Sequence, residues 1–461
     1  PAIFGAMFQG VMNPQQRREL GAHYTSEENI LKVIRPLFLD ELYDKFEHSK
    51  NTTAELTAFH NYIASLTFLD PACGCGNFLI ITYQKLRELE HEVLKLLHDN
   101  QQVSLANIYT RVGLHQFYGI ELEGFPAEIA KVSLLLMKHL MDQEISQYFG
   151  MNLIDFPIRD NANIIQGNAL RMDWAQVVPP EQLNYIIGNP PFVGARIMNA
   201  EQKADAALVF SEHGKFGNLD YVSCWYRKAA DMMKKSRIRS AFVSTNSISQ
   251  GEQPAILWRP LLQEGFRIDF AWRTFKWSNE AKGKAAVHCV IIGFSFGGLS
   301  GKKELYEQER SSIVDNINPY LIGAPDVFVE SRRKPISNIP LMNYGSFALD
   351  DGHYTISEQE YVEILQREPN IAPLFRPFIG AYEFINGKNR YCLWLDGADV
   401  RLVRSSPIVM SKIGKVREWR SQSSRKNTKK LADTPMLFAE VRQPKSDYLA
   451  VPVVSSERRD Y

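Results

Sequence analysis

Residues 66–79 read LTFLDPACGCGNFL, and this stretch decides the fold. A short apolar run ends on an acid, Asp70. Gly74 and Gly76 follow, and a helical pattern then runs from about Leu79 to His98. Strand, acid, glycine turn and helix in that order make a turn whose backbone lets a ligand approach closely and presents N–H groups to it. A lone G-x-G serves an ordinary strand–helix turn equally well, so the flanking residues must decide.

Working outward, the run 115–122 (HQFYGIEL) is a second strand with Glu121 at its tip, placed to accept the two hydroxyls of a ribose. That also fits a nicotinamide cofactor, but the third glycine of the dinucleotide fingerprint is missing and the acid comes late. Residues 162–170 (ANIIQGNAL) and 183–192 (LNYIIGNPPF) supply a third and a fourth strand, and 236–248 (SRIRSAFVSTNSI) a fifth, with helices between them. This alternation from about 66 to 250 predicts an α/β fold with a doubly wound parallel sheet. Two further strands follow, FRIDFAWRTF and AAVHCVIIGFSF. Residues 46–65 are polar and predict a helical surface segment.

The fourth strand ends in GNPPFVG, residues 188–194. Proline cannot donate a competing N–H, so Asn189, Pro190 and Pro191 make a rigid turn rich in acceptors. An amine conjugated to a ring is a poor nucleophile. Two acceptors, the Asn189 side-chain oxygen and the Pro190 carbonyl, favour a pyramidal nitrogen with a directed lone pair. Phe192 offers a face on which a flat base stacks. In a doubly wound sheet this turn and the glycine turn share one edge.

Composition limits the class. The chain has 461 residues, net charge +1 and five cysteines. That length gives a prior of about three domains. Five cysteines do not make a disulfide framework. Cys73 and Cys75 form a C-x-C pair with no second pair to close a metal site, and HEVLKLLH (91–98) misses the zinc-protease spacing, so no metal is expected. No apolar run reaches membrane-spanning length, and the chain is expected to be soluble and cytoplasmic, with no membrane partner. It starts at Pro1 without an initiator methionine and stops just after a strand-like YLAVPVV, as a fragment of a longer chain would. Residues 401–430 hold ten Lys or Arg against one acid, Glu418. Such a run is either a solvated face or a phosphate-contacting stretch.

In order, DPACGCGNF, GIELE, GNAL and GNPPF resemble the S-adenosylmethionine-dependent DNA adenine-N6 methyltransferases, and GAHYTSEENILKVI (21–34) resembles the cofactor segment that precedes the glycine motif in their gamma class. RRELGAHYTSEENI, WSNEAKGKAAVHCVIIGF, SRRKPISNIP and RPFIGAYEFINGKNRYCLWL resemble the MmeI-like branch, whose members can join nuclease, methyltransferase and recognition parts (type IIG/IIL restriction–modification). The resemblance covers nearly the whole chain. It implies a Rossmann-like methyltransferase sheet with an N-terminal helical segment and a partial C-terminal DNA-recognition region. The domains expected are 1–65 (helical segment with a cofactor turn), 66–300 (methyltransferase), 301–345 (connection) and 346–461 (partial recognition region).

The resemblance implies site residues too. Tyr24 and Thr25 would hold the methionine part of S-adenosylmethionine, with Asp70, Ala72, Gly74, Gly76 and Asn77 lining that side. Glu121 would bind the ribose, Leu122 would pack on the adenine, and Asn168 and Ala169 would meet its edge. Asn189, Pro190, Pro191 and Phe192 would hold a flipped target adenine in double-stranded DNA, with Trp277 helping to position it. The basic stretch gains weight as a DNA contact through Lys412, Lys415, Arg425, Lys426, Lys429 and Lys430. The activity implied is site-specific adenine-N6 methylation, the modification part of a restriction–modification system, by a monomer. A nuclease of the D…E-x-K type would precede Pro1 in bifunctional members and has no room here, so no cleavage is expected. An RNA or protein-glutamine methyltransferase is the alternative, and a DNA-binding specificity subunit is the non-enzymatic one. A cytosine-C5 enzyme would need a Pro-Cys pair, which the sequence lacks.

Overall fold

The computed structural model describes residues 25–99, 109–150, 162–277 (without 213 and 215), 287–299 and 303–453 (without 333 and 341). It divides into two units, Pro1–Ser331 and Arg332–Tyr461.

Among the described residues, three helices precede the first strand: α1 (Glu27–Ile34), α2 (Asp40–Ser49) and α3 (Thr53–Ser65). Between α1 and α2 the backbone widens into a π-turn over Arg35–Leu39. Pro36 explains it, because a proline has no N–H for the carbonyl four residues back and its ring crowds that turn. The residues of α3 do not form the surface segment expected of 46–65. Leu56, Phe59, His60 and Ile63 recur at helical spacing and are buried, and the His60 Nε2 lies 2.7 Å from the Glu90 carboxylate.

The sheet then assembles from β1 (Phe68–Asp70), α4 (Asn77–Asp99), β2 (Phe117–Glu121), α5 (Gly124–Phe149), β3 (Asn163–Gln166), β4 (Tyr185–Gly188), α6 (Ala200–Val209), α7 (Ser223–Met233), β5 (Arg239–Thr245), α8 (Gln253–Glu264), β6 (Phe266–Trp277), β7 (Val287–Phe296), β8 (Lys303–Glu307) and β9 (Arg310–Val314). Its order is β3-β2-β1-β4-β5-β7-β6-β8-β9. The first five strands are parallel. β7 inserts antiparallel between β5 and β6. β8 and β9 extend the same sheet, although the sequence places residues 301–345 in a connection. The β9 hairpin strand is almost wholly exposed, so no continuous apolar run marks it.

Side chains alternate across the sheet, as the strand period of two requires. Phe68, Phe117, Tyr185 and Ile187 pack towards α1 to α5. Leu69, Ile120, Ile186 and Phe242 pack on the other face, with α7 and α8. Strand order reverses between β1 and β4, and this switch point is where doubly wound sheets leave a crevice at the carboxyl ends of their strands.

The second unit has a three-stranded antiparallel sheet of β10 (Thr355–Ser357), β11 (Phe375–Pro377) and β12 (Arg390–Leu393), in the order β10-β12-β11. It packs its own apolar core with α9 (Glu358–Arg367) and, after α10 (Ala381–Asn386) and α11 (Val400–Ser405), with the long α12 (Pro407–Gln422); α13 (Lys426–Lys430) follows. Among the described residues no helix is long and apolar enough to cross a membrane.

Candidate active site at the strand switch point

Asp70 closes β1 and is buried, 1% exposed. Its Oδ1 accepts the Ala72 N–H at 3.0 Å. Burial, with the Glu121 charge adding to it, pushes its carboxyl up to about 8. The turn that follows needs glycine. Gly74 and Gly76 have φ of +54° and +85°, a region L side chains rarely enter. At Gly74 a side chain would meet open space, whereas at Gly76 it would come within 3.0 Å of the Ala130 Cβ on α5. The first glycine therefore leaves room for a ligand, and the second lets turn and helix pack closely. Asn77 begins α4.

Glu121 reaches this turn from β2. One carboxylate oxygen accepts the Gly74 N–H at 2.8 Å and the other accepts the Glu123 N–H at 3.0 Å. Burial raises its carboxyl above the usual range. Next to it Leu122 is 50% exposed and Phe125 67% exposed. Leu122 is among the residues the resemblance implies; Phe125, three positions on in the first turn of α5, carries no motif signal.

Asn189 follows β4 across the switch point. Its Nδ2 donates to the Thr25 hydroxyl at 3.1 Å, and Thr25 is itself buried just ahead of α1. The Asn189 Oδ1 is a buried oxygen with no hydrogen-bond partner among the described residues. An unpaired buried acceptor costs about 1–3 kcal/mol, so its presence at a strand tip points to a donor supplied from outside. The two motifs touch. A Cβ on Gly188 would lie 2.6 Å from the Asp70 Oδ1, so only glycine lets the Asn-Pro-Pro turn sit against the acid. Pro190 is buried behind Asn189, and Phe192 is partly buried against both core faces.

Of the other expected residues, Asn168 and Ala169 lie in the turn after β3 and have partners within the protein. Asn168 uses its side chain within the protein, donating to Asp205 at 3.0 Å and accepting the Leu170 N–H at 2.9 Å. Ala169 is buried and its carbonyl accepts the Trp174 indole N–H at 2.8 Å. Trp277 ends β6, paired with Val287. Tyr24 lies outside the described residues. Cys73 and Cys75 are buried, and burial pushes both thiols up.

In the second unit the basic stretch splits three ways. Lys415, Arg425, Lys426, Lys429 and Lys430 are exposed. Lys412 pairs with Glu360 at 2.8 Å and donates to the His353 carbonyl at 3.2 Å. Arg420 is fully buried and donates to five backbone carbonyls, those of Ala348, Leu349, Leu431, Thr434 and Leu437. It is a structural staple that charge counting cannot separate from its exposed neighbours.

Comparison with known proteins agrees with this layout. Residues 46–307 match the family model described as the MmeI DNA-methyltransferase domain, and residues 323–461 match the MmeI target recognition domain. DNA methyltransferase A of Bacillus subtilis (strain 168) is 40% identical over 465 residues, covering 100% of this chain and 53% of that protein. A solved structure of the Type IIL restriction-modification enzyme MmeI in complex with DNA is 47% identical with a TM-score of 0.87, covering 97% of this chain and 60% of that one. The chain thus spans about half the length of the curated relative it matches. Residues 46–307 cover more than half of the chain, strands β1 to β8 with the glycine and Asn-Pro-Pro turns lie within that match, and the chain therefore belongs to the MmeI family, with its DNA-methyltransferase domain followed by its target recognition domain.

Proposed function

We propose that this chain transfers a methyl group from S-adenosylmethionine to the N6 amine of an adenine flipped out of double-stranded DNA, at a specific site, as the modification part of a restriction–modification system. The observation that carries the proposal is the Asn189 Oδ1, a buried acceptor without a partner among the described residues, whose amide is held by Thr25 at the strand switch point. An exocyclic amine supplies the missing donor.

The residues fit the cofactor. Gly74 leaves open space, Glu121 presents a carboxylate beside it, and two large apolar side chains, Leu122 and Phe125, stand exposed next to that acid. Asp70, Ala72, Gly74, Gly76, Asn77 and Thr25 would hold the methionine part, Glu121 the ribose hydroxyls, and Leu122 the adenine face, with Ala169 at its edge. When bound, the cofactor supplies an electrophilic methyl on a sulfonium.

The chain's own part is positioning. The Asn189 Oδ1 and the Pro190 carbonyl accept the two N–H bonds of the target amine and turn its lone pair out of the ring plane. Phe192 stacks on the base. Extrusion of the base costs a few kcal/mol, and near-attack geometry recovers much of a barrier. No covalent intermediate on the protein is required. The target recognition domain, with Lys415, Arg425, Lys426, Lys429 and Lys430 exposed, would contact the DNA, and the protein would act as a cytoplasmic monomer.

The test is to incubate the chain with labelled S-adenosylmethionine and either unmethylated genomic DNA, RNA or a protein bearing accessible glutamines, then to identify the labelled product by mass spectrometry. N6-methyladenine in DNA is expected. Label in RNA or on glutamine would overturn the substrate, and label on cytosine would overturn the reading of the Asn-Pro-Pro turn.

A further inference from the structure

Residues 220–225, DYVSCW, carry contacts that neither the cofactor nor the target-base residues account for. Asp220 is buried. Its Oδ1 accepts the backbone N–H of Val193 at 3.1 Å and of Val222 at 3.3 Å, and its Oδ2 accepts the Thr245 hydroxyl at 3.2 Å. Tyr221 donates its backbone N–H to the Val193 carbonyl at 3.0 Å. One dipeptide thus holds both backbone polar groups of Val193, the residue directly after Phe192.

The same segment reaches two other turns. The Tyr221 hydroxyl donates to the Asp205 Oδ2 at 2.8 Å, and Asp205 also accepts from Asn168 in the turn after β3. One helical turn further on, the Trp225 indole N–H donates to the Pro71 carbonyl at 3.1 Å, at the start of the glycine turn. The Tyr221 and Trp225 rings meet edge to face, 5.3 Å apart.

We infer that Asp220, Tyr221 and Trp225 are positioning residues that form one brace across the site, with Asp220 setting the target-base loop, Trp225 the cofactor turn, and Tyr221 linking the loop to the turn after β3. The physical requirement is specific at each place. Val193, Val222 and Thr245 need several acceptor sites in one small group, which a carboxylate provides. Two prolines leave the loop few internal freedoms, so fixing Val193 fixes Phe192 and limits Asn189. A displacement of about 1 Å at such a site is enough to cost roughly 100-fold in rate. The functional names in this inference rest on the proposed function; the brace itself does not.

The experiment compares Asp220→Ala, Asp220→Asn and Trp225→Phe with the unaltered chain. Hydrogen–deuterium exchange is followed in peptides covering 71–79 and 188–195, alongside calorimetric Kd for S-adenosylmethionine, kcat and Tm. Asp220→Ala is expected to raise exchange at the Phe192, Val193 and Gly194 amides while leaving the glycine turn unchanged. Its kcat should fall about 10- to 100-fold with cofactor Kd within about threefold. Asp220→Asn keeps an acceptor for Val193 and a partner for Thr245, and should restore most of the rate. Trp225→Phe should do the reverse, loosening the glycine turn and weakening the cofactor by about 5- to 10-fold, as loss of one buried hydrogen bond implies. If both variants loosen both turns equally and in step with Tm, the segment is merely structural and the inference falls. If the exchange pattern splits as expected but the unaltered chain transfers no methyl group, the brace stands and the proposed function falls.

Discussion

The Asn189 amide donates to the Thr25 hydroxyl at 3.1 Å across 164 residues of chain. This bond fixes which end of the amide faces the switch point. With Nδ2 committed to Thr25, Oδ1 is left without a partner among the described residues. Thr25→Val should therefore let the amide turn and lower kcat by about 10-fold, roughly the worth of one buried hydrogen bond. Thr25→Ser should restore it. The check is steady-state methylation with Tm measured in parallel, and an unchanged kcat in the valine variant would show that the amide is held by something else.

Asp70 makes binding and stability depend on pH. Its carboxyl is raised from the ordinary 3.8 to about 8 by burial and by Glu121. The folded free protein therefore holds a proton that the unfolded chain releases, and this group's contribution to stability falls as pH rises from about 4 to about 8. A cationic cofactor favours the ionised form, so its affinity should rise with pH up to about 8 and binding should release a proton. Calorimetry in buffers of different ionisation enthalpy measures that release. Asp70→Asn should abolish it and flatten the slope of Tm against pH.

Gly188 sits where the two turns meet. Adding a single methyl group puts a Cβ 2.6 Å from the Oδ1 of the buried Asp70. Gly188→Ala should cost about 1–3 kcal/mol of stability, visible in urea unfolding. Gly74→Ala meets no neighbour among the described residues, so its strain comes from the backbone, and its larger effect should be on cofactor Kd.

How much of this was legible depends on where each contact lies. The strand–acid–glycine turn, the Glu121 tip and the Asn-Pro-Pro turn declare themselves because each is short and joins an apolar run to residues of unusual backbone geometry. Asp220, Tyr221 and Trp225 do not. Each acts on a backbone group at least 27 residues away, and an Asp-Tyr pair before a helix carries no mark of that. The polar composition of 46–65 hid the apolar face of α3, whose buried residues are spaced by three and four. The β8–β9 hairpin was missed because β9 faces solvent.

The basic run 401–430 holds side chains of two kinds, and the consequence is testable. Arg420 and Lys430 belong to the same basic run, yet Arg420 is fully buried while Lys430 is exposed. Arg420→Met leaves five carbonyls short of a donor and should destabilise the second unit by about 3–5 kcal/mol. Reversing Lys429 and Lys430 to Glu should leave Tm unchanged while weakening DNA binding and flattening its dependence on salt. Binding isotherms at several salt concentrations separate the two effects, and identical behaviour of the two variants would refute the assignment.

The central claim is that Asn189 holds the amine that is methylated. Its most direct test is the yield of N6-methyladenine in DNA from the unaltered chain and from Asn189→Ala, with cofactor Kd measured on both. The account predicts that the product disappears in the variant while the cofactor Kd stays within about threefold. A variant that still makes N6-methyladenine at the normal rate would contradict it.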